Sequence, residues 1–420
     1  MREKIFFATM LFWAVCFRVQ SQDVWSDAPD TPVVGASLFP TDEYGVVHED
    51  TTTWVGRLQT QLDMLSQSPL MKTSMLGLCV YDLHDQRLLY AHNYYQRMRP
   101  ASCQKLVTSI TALHALGADH QFSTPIYVTG AVVDSVLQGN LYIKGGMDPL
   151  LSTDDLYLLA DILRVHGIKG IAGNVCLDAS AKDDKPYGRG WCWDDEVGPL
   201  AALLLNKKAA EGPTVLQCLA GAGILLSPAI VYETVPRDAR LLTTLQHPLK
   251  EVLDPMMKES DNVMAECMLY QIAFRQNRKG AGANDAVVVV NKLLRQLGLV
   301  PDIYEVADGS GLSLYNYVTP EMLLTLLNYA HQNRRIYGPL SLSLPIAGID
   351  GTLQKRMTGT SAQGNIYAKT GTVTGVTSLC GYAQGGNGHL LSFCIINQGT
   401  RRAAQGREFQ DQVCVVLTSQ

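Results

Sequence analysis

A serine and a lysine three positions apart stand at the start of a segment with helical spacing. Ser102 and Lys105 are followed by apolar residues at Ile110, Leu113 and Leu116, so both polar side chains are expected on one helix face. A serine hydroxyl is a weak nucleophile unless a base lies within hydrogen-bond reach, and a lysine becomes such a base when its pKa is lowered. A Ser-x-x-Lys pattern also occurs by chance in a chain of 420 residues, so the pair needs support from elsewhere.

Two later segments supply that support. Ser260-Asp261-Asn262 opens a predicted helix, and Lys369-Thr370-Gly371 lies in a predicted strand. Each is ordinary alone, because Ser, Asp and Asn are common helix N-caps and a glycine in a strand marks a bulge or a close approach. In the order Ser-x-x-Lys, Ser-x-Asn, Lys-Thr-Gly, however, they form the motif set of penicillin-binding proteins and serine β-lactamases. The combination favours catalysis through an acyl-serine intermediate.

The resemblance extends beyond these motifs, from about residue 75 to about residue 400. The chain resembles the penicillin-binding D-alanyl-D-alanine carboxypeptidase/endopeptidase family of the low-molecular-mass class C type. Two blocks, Gly190–Asp195 and Asp308–Ser313, are specific to this branch. The other segments that carry the resemblance are Pro100–Lys105, Leu116–Asp119, Ser260–Asn262, Gly348–Leu353, Lys369–Val376 and Gly381–Tyr382.

The resemblance implies a role for each residue of the first two motifs. Ser102 attacks the carbonyl carbon of the penultimate D-alanine of a peptidoglycan stem peptide, and Lys105 takes its proton. Ser260 relays a proton to the departing amine, and Asn262 holds an amide of the substrate. The backbone N–H groups of Ser102 and Thr372 form the oxyanion hole.

The third motif and one acidic residue are assigned to substrate binding in the same way. Lys369 and Thr370 bind the terminal carboxylate, while Gly371 lets the substrate lie along the strand edge as an added strand. Asp195 meets the free amino group of the diamino acid of the stem peptide. The alternative for Asp195 is a turn-stabilising role within the acidic cluster 194–196, and the sequence leaves the two open.

The expected function is that of an exported serine D-alanyl-D-alanine carboxypeptidase/endopeptidase, which β-lactam antibiotics acylate covalently. Trimming of the terminal D-alanine and cleavage of cross-links use the same atoms, so the main reaction stays open. A serine β-lactamase is the alternative, but no motif places the acid that fast deacylation requires. A non-catalytic peptidoglycan-binding scaffold is a further alternative, disfavoured because the motifs are intact. No cofactor is implied, and the histidines show no metal-ligand spacing along the chain.

The predicted fold class is α+β, of the β-lactamase/D,D-peptidase type. Strands from both ends of the chain form an antiparallel sheet flanked by helices, with a helical subdomain beside it. The catalytic domain is assigned to 51–124 plus 246–420, and a small inserted α+β subdomain to 125–245. Because Ser260 follows Ser102 by 158 residues, a short gap for the family, the first added subdomain is expected and the second is expected to be missing or vestigial.

Periodicity and cap residues place the elements. Predicted helices cover Trp54–Leu65, the segment from Ser102, 153–167, Asn262–Phe274, Asn284–Gly298, the segment from Thr319, and Arg402–Leu417. Predicted strands cover Ser74–Tyr81, Arg87–Ala91, Ile126–Val133, Asn140–Lys144, Asn174–Leu177, Ile366–Thr374, Val376–Ala383 and His389–Ile396.

The N-terminus has the layout of a secretory signal peptide. Arg2 and Lys4 precede the apolar segment Ile5–Phe17, and Ser21 offers a small residue for cleavage, so 1–21 is assigned as the signal peptide and 22–50 as a linker. An uncleaved anchor is the alternative, but the apolar run is short for a membrane span. The expected location is the periplasm, with at most peripheral membrane association. A net charge of −5 argues against nucleic-acid binding.

Overall fold

The computed structural model describes residues 46–192, 195, 197–226 and 229–420. The predicted signal peptide and nearly all of the predicted linker lie outside these residues. The helices are α1 (Trp54–Ser66), α2 (Gln104–Leu116), α3 (Thr153–Val165), α4 (Gly212–Gly221), α5 (Leu249–Lys258), α6 (Asn262–Gln276), α7 (Ala283–Gln296), α8 (Pro320–Gln332), α9 (Arg334–Ser343) and α10 (Ala403–Thr418).

The first strands along the chain are β1 (Met75–Asp82), β2 (Arg87–His92), β3 (Gln121–Val128), β4 (Val132–Val133), β5 (Val136–Leu137), β6 (Leu141–Lys144), β7 (Gly170–Ile171) and β8 (Val175–Asp178). They are followed by β9 (Leu204–Leu205), β10 (Lys208–Ala209), β11 (Leu225–Leu226), β12 (Ile230–Tyr232), β13 (Arg240–Pro248), β14 (Ile366–Val373), β15 (Val376–Gln384) and β16 (Leu390–Gln398).

The central sheet has the strand order β14-β15-β16-β1-β2, with antiparallel neighbours throughout. Side chains alternate between its two faces along each strand, as the period of two requires. On β16, Phe393 and Ile395 pack with α1 and α10, while Cys394 and Ile396 pack with α2 and α8. The predicted sheet of N- and C-terminal strands flanked by helices is confirmed.

Helices α5, α6 and α7 pack with α2 beside the central sheet in one large apolar cluster. Helix α8 begins at its predicted cap, where the Thr319 hydroxyl accepts a hydrogen bond from the backbone N–H of Met322 at 3.1 Å. For α7 the predicted cap, Asn284, is wrong. The cap is Gly282, because the Asp285 carboxylate accepts from the Gly282 N–H at 2.8 Å and so starts the helix earlier.

Between α2 and α5 the described chain forms two small sheets, ordered β12-β8-β6-β3-β13 and β11-β7-β5-β4, which share a core with α3 and α4, and the two-stranded hairpin of β9 and β10. The chain enters and leaves this region by the antiparallel pair β3 and β13, from Gln121 opposite Pro248 to Val128 opposite Arg240. The predicted limits of the inserted subdomain, 125 and 245, fall within these two strands. The division into domains stays a prediction.

The predicted strand Ile126–Val133 is wrong as a single element. Gly130 has a φ of +71°, and the turn there separates β3 from β4. The predicted helix over 153–167 is confirmed as α3, which buries Leu156, Leu159 and Leu163. Among the described residues, no helix is both long enough and apolar enough to span a membrane.

Candidate active site

Ser102 lies in a short 3₁₀-helical turn that leads directly into α2. Two contacts hold this turn. The Ser378 hydroxyl on β15 donates to the carbonyl oxygen of Pro100 at 2.6 Å. Gly311 lies so close to the Ala101 carbonyl that a Cβ on it would come within 1.8 Å of the oxygen. The backbone that carries the Ser102 hydroxyl is therefore fixed by the sheet on one side and by the 308–313 loop on the other.

Lys105 is fully buried, one turn along from Ser102. Its ammonium nitrogen lies 3.2 Å from the Ser102 hydroxyl, 2.7 Å from the side-chain oxygen of Asn262 and 2.8 Å from the carbonyl oxygen of Ser310. Burial lowers the pKa of Lys105 to about 8, although the negative charge of Asp308 acts in the other direction and raises it. At pH 7 about a tenth of Lys105 is then neutral, far more than for an ordinary lysine, and this form can accept the proton of Ser102.

The second motif lies at the start of α6. Asp261 is the N-cap, and its carboxylate accepts from the Met264 N–H at 3.0 Å. Ser260 has a φ of +67°, in the left-handed region that a non-glycine residue rarely adopts. Lys207, at the tip of the β9–β10 hairpin, lies 2.7 Å from the second carboxylate oxygen of Asp261. The cap places Asn262 on the first helical turn, where its side chain reaches Lys105.

The third motif lies on β14, an edge strand of the central sheet. Lys369 is fully buried and donates to the Ser260 hydroxyl and to the carbonyl oxygen of Thr370, both at 2.9 Å. Burial, followed by the charge of Lys105, lowers the pKa of Lys369 to about 7. The Thr370 hydroxyl lies 2.7 Å from the hydroxyl of Thr352. The motif thus meets the second motif through Ser260.

Gly371 brings β14 against the nucleophile turn. A Cβ at this position would come within 2.2 Å of the Ser378 hydroxyl and 2.9 Å of the Ser102 backbone nitrogen. The next residue, Thr372, is exposed. The strand therefore passes beside the backbone N–H of Ser102, where the predicted oxyanion hole requires it. The hole itself stays a prediction.

Sequence reasoning assigned no role to Glu266, a buried acid on α6. Its carboxyl group accepts hydrogen bonds from the backbone N–H groups of Gly309 and Ser310, at 3.1 and 2.8 Å. The carbonyl oxygen of Ser310 in turn accepts from Lys105. Burial and then the charge of Asp308 raise the pKa of Glu266 to about 8. Glu266 therefore positions the loop that binds Lys105.

The sequence contains a signal for Glu266. It is the lone acid among the apolar residues of α6, and it follows Asn262 by four positions, which places both on one helix face. An ionisable residue within a buried helix requires a partner. The partner, a loop more than 40 residues further along the chain, could not be identified from the sequence.

Asp195 makes its hydrogen bonds to Cys192 rather than to the motif residues. Its carboxylate accepts from the Cys192 N–H at 2.6 Å, and its own N–H donates to the Cys192 carbonyl oxygen at 3.2 Å. These are turn-stabilising contacts. The segment nevertheless contacts the 308–313 loop, because the Trp191 indole N–H donates to the Asp308 carboxylate at 2.8 Å. The neighbouring residues 193, 194 and 196 lie outside the described residues.

The structure thus brings the five predicted catalytic residues together in what is called the motif cluster below. Its members are Ser102, Lys105, Ser260, Asn262 and Lys369. Lys105 is hydrogen-bonded to Ser102 and Asn262, and Lys369 to Ser260, so the second motif contributes one residue to each group. The substrate-binding candidates Thr370, Gly371 and Thr372 follow directly on β14, and Asp195 is the candidate whose hydrogen bonds stay within its own turn. The converging groups are ammonium groups, hydroxyls and one amide, which suit proton transfer and anion binding.

A model of the D-Ala-D-Ala carboxypeptidase 3 (S13) family matches residues 58–211 and 200–420. The D-alanyl-D-alanine carboxypeptidase DacB of Haemophilus influenzae is 26% identical over 410 residues, which cover 77% of this chain and 85% of that protein. The D-alanyl-D-alanine carboxypeptidase of an Actinomadura species is 28% identical over 439 residues, 81% of each chain. The carboxypeptidase DacB of Mycolicibacterium smegmatis is 31% identical over 358 residues, 77% of this chain and 75% of that protein.

A solved structure shows the same fold. The crystal structure of penicillin binding protein 4 from Haemophilus influenzae matches with a TM-score of 0.77 and 24% identity, over 86% of this chain and 99% of that one. The family model covers nearly all of the described chain, and the three motifs that it shares with serine acyl-transferring enzymes meet in the motif cluster. The chain therefore belongs to the D-Ala-D-Ala carboxypeptidase 3 (S13) family of serine peptidases.

Proposed function

We propose that this peptidase hydrolyses the D-Ala–D-Ala bond, or the D-Ala–diamino acid cross-link, of peptidoglycan stem peptides through an acyl-serine intermediate, and that penicillin acylates the same serine. The observation that carries the proposal is the position of Lys105, within hydrogen-bond distance of both Ser102 and Asn262. A buried lysine with a lowered pKa beside a serine hydroxyl is the base that the nucleophile requires.

In the acylation step, neutral Lys105 takes the proton from Ser102 while the serine oxygen bonds to the substrate carbonyl carbon. The charge that develops on the carbonyl oxygen is stabilised by the backbone N–H groups of Ser102 and Thr372. Collapse of the tetrahedral intermediate breaks the C–N bond. Because Lys369 donates to the Ser260 oxygen, the Ser260 hydrogen is free to protonate the departing amine. Ser260 then regains a proton from Lys105, which took it from Ser102, so the relay is balanced.

Substrate binding relies on the exposed edge of β14. The terminal carboxylate of the peptide binds Lys369 and Thr370, and the peptide backbone lies along the strand beside Gly371. Asn262 binds a substrate amide, and Asp195 accepts the free amino group of the diamino acid. Water then hydrolyses the ester on Ser102. A β-lactam follows the same acylation path, but its leaving group stays attached and deacylation is slow.

The proposed location is the periplasm, with the substrate in the cell wall. The support is the layout of residues 1–21, together with the extracytoplasmic position of peptidoglycan. The proposed organisation is a catalytic domain, 51–124 plus 246–420, carrying one inserted subdomain, 125–245, next to its active-site loop. The contact between Trp191 and Asp308 supports this placement.

Labelling with a fluorescent penicillin tests the proposal. The wild-type chain is expected to be labelled at one site, and Ser102→Ala is expected to abolish the label. Absence of label in the wild type would overturn acyl-serine catalysis and favour a non-catalytic scaffold. With nitrocefin, one slow turnover per molecule is expected, whereas many fast turnovers would identify a β-lactamase. Chromatography of products from cross-linked muropeptides separates carboxypeptidase from endopeptidase activity.

A further inference from the structure

Two turns that are distant in sequence lie side by side at one end of the central sheet. The β1–β2 turn contains His84 and Asp85, and the β15–β16 turn ends at His389. They meet because β1 and β16 are paired strands, and the Leu83 N–H donates to the Leu390 carbonyl oxygen at 3.0 Å beyond the last strand pair. Sequence analysis excluded metal ligands on spacing along the chain, which cannot reveal a contact of this kind.

The side chains of these turns converge. His84, Asp85 and His389 each offer one ligand atom, and these atoms all lie within 4.8 Å of one another. The two imidazole rings are 4.2 Å apart between centroids and tilted by 31°. Side chains of His84 and His389 are 71% and 28% exposed, so an ion can reach them from solvent. We propose that His84, Asp85 and His389 form a binding site for a divalent transition-metal ion such as Zn²⁺.

A fourth residue, Asp82, supports this site from beneath. Its side chain is 0% exposed, and one carboxylate oxygen accepts from the backbone N–H groups of His84 and Asp85, at 2.9 and 3.0 Å. The other oxygen lies 2.8 Å from Nδ1 of His389 and 3.5 Å from the side-chain nitrogen of Asn387. The carboxylate therefore fixes both the His84–Asp85 backbone and the His389 ring.

This contact also fixes the tautomer of His389. An ionised carboxylate can only accept a hydrogen bond, so in the neutral form of His389 this contact places the hydrogen on Nδ1 and leaves the lone pair on Nε2. A buried carboxylate that orients an imidazole in this way is the usual outer partner of a metal-binding histidine. Asp85 differs from Asp82 because it is itself a proposed ligand, and its contact with Nδ1 of His84 at 2.8 Å keeps these two donors together. Asp82 is thus a positioning residue for the site.

The donor set selects the class of ion. Two imidazole nitrogens and one carboxylate oxygen suit Zn²⁺ and its neighbours Ni²⁺ and Cu²⁺, whereas Ca²⁺ and Mg²⁺ require oxygen ligands. Three protein ligands leave a coordination position for water. The nearest competing cation is Arg87, whose Nε lies 3.7 Å from Asp85 while its Nη1 binds Glu49 at 2.5 Å. A bound ion would link the β1–β2 turn to the β15–β16 turn.

Calorimetric titration of the full chain with Zn²⁺, after removal of metals by a chelator, tests the site. One saturable ion per chain is expected. His84→Ala and His389→Ala are each expected to weaken binding at least tenfold, and Asp82→Asn about 10- to 100-fold, as loss of an outer partner does. His166→Ala, which removes an exposed histidine at the C-cap of α3, is the matched control and should leave binding unchanged.

Labelling of Ser102 by fluorescent penicillin in every variant shows that the fold is retained. The site is refuted if the wild type binds no Zn²⁺ saturably, or if the His84 and His389 variants, still labelled by penicillin, bind it as tightly as the wild type. Displacement of Zn²⁺ by equimolar Ca²⁺ would overturn the assigned class of ion. The calorimetric measurement of Zn²⁺ binding does not depend on peptidase activity.

Discussion

The motif cluster and the residues that approach it from the inserted region are held in different ways. Lys105 and Lys369 are fully buried, and each makes at least two hydrogen bonds to other parts of the active site. Asp195 and Lys207 are partly exposed and make contacts with single partner residues, Cys192 and Asp261. Burial shifts the pKa values in the first region, while solvent screens the charges of the second.

The difference suggests a division of labour. Bond making requires groups whose pKa values and positions are set in advance, and two buried, hydrogen-bonded lysines provide both. Selection among stem peptides requires groups that can exchange water for substrate, which a partly exposed carboxylate or ammonium does at small cost. Substitutions should therefore have large effects on rate in the motif cluster and smaller effects, confined to substrate binding, on the insertion side.

Gly371→Ala is expected to have the largest effect. The added methyl group would come within 2.9 Å of the Ser102 nitrogen and 2.2 Å of the Ser378 hydroxyl, so β14 and the nucleophile turn must move apart. A displacement of about 1 Å in a catalytic group costs about 10²-fold in rate. The second-order rate of penicillin labelling measures this loss.

Gly338→Ala is the control for this substitution, because a Cβ at Gly338, within α9, meets no atom within 4 Å. It should label at the wild-type rate. If Gly371→Ala is labelled at a rate within a factor of two of the wild type, β14 need not pass so close to Ser102. The main argument that the positions in the motif cluster are set before substrate binds would then be lost.

The pH dependence of acylation should report the two buried lysines. Lys105 acts as a base only when neutral, so the rate should fall about tenfold per pH unit below the pKa of the base. Lys369 binds a carboxylate only when charged, so the rate should also fall as pH rises and Lys369 loses its proton. With pKa values of about 8 for Lys105 and about 7 for Lys369, the active form holds one proton between them, and the maximum should lie near these values.

Penicillin labelling rates between pH 5 and pH 10 give the profile. Burial is the first cause of both lowered pKa values, so the same limbs should appear at high salt. A rate that stays flat across this range would mean that neither lysine changes its proton in the step measured. A profile whose limbs move strongly with salt would contradict the contrast between two buried lysines and a screened surface.

Much of the motif cluster could be predicted from the sequence, because each motif coincides with a local signal. Ser102 starts a helix, Asp261 is a cap that places Asn262, and Lys369 lies in a strand with a glycine. The strands that correspond to β1, β2, β14, β15 and β16 could also be predicted, because each is an apolar segment bounded by a short turn. Their order in one sheet follows from the resemblance to a known family.

What the sequence did not reveal depends on pairing between distant segments. Strand β13 has no clear apolar alternation, and it forms because β3 pairs along its whole length. Glu266 contacts the 308–313 loop, and His389 contacts Asp82, across gaps that no local pattern marks. Lys207 is one polar residue of a two-residue turn, and its approach to Asp261 depends on how the inserted region sits on α6.

Asp195 offers a test of recognition on the insertion side. Asp195→Asn keeps an oxygen for the Cys192 N–H and so preserves the turn, but it removes the charge. If Asp195 binds the amino group of the diamino acid, the KM for a stem peptide with a free side-chain amine should rise about fivefold in both Asp195→Asn and Asp195→Ala. Penicillin labelling should not change.

The same peptide with its side-chain amine acetylated is the control, and its KM should be equal for the wild type and both variants. If Asp195→Ala leaves turnover of the diaminopimelate-containing peptide unchanged, Asp195 has no role in recognition. A loss in Asp195→Ala that Asp195→Asn restores would assign the residue to its turn alone.

Lys207 is expected to have the smallest effect, and it tests whether the inserted region acts on the motif cluster at all. Its ion pair with Asp261 is partly exposed, at 42% and 18% of the two side chains, so its free energy is small. Lys207→Ala should slow penicillin labelling about two- to threefold, because the Asp261 cap that positions Ser260 and Asn262 loses one of its two contacts.

Lys208→Ala is the matched control, since Lys208 is an exposed neighbour on β10 outside this ion pair. The sharper measurement is a double-mutant cycle with Asp261→Asn, in which the effect of Lys207→Ala should disappear. If the two substitutions multiply instead, the contact between the hairpin and α6 does not influence acylation. The inserted region would then influence the reaction only through substrate binding, which is the role that the Asp195 variants test.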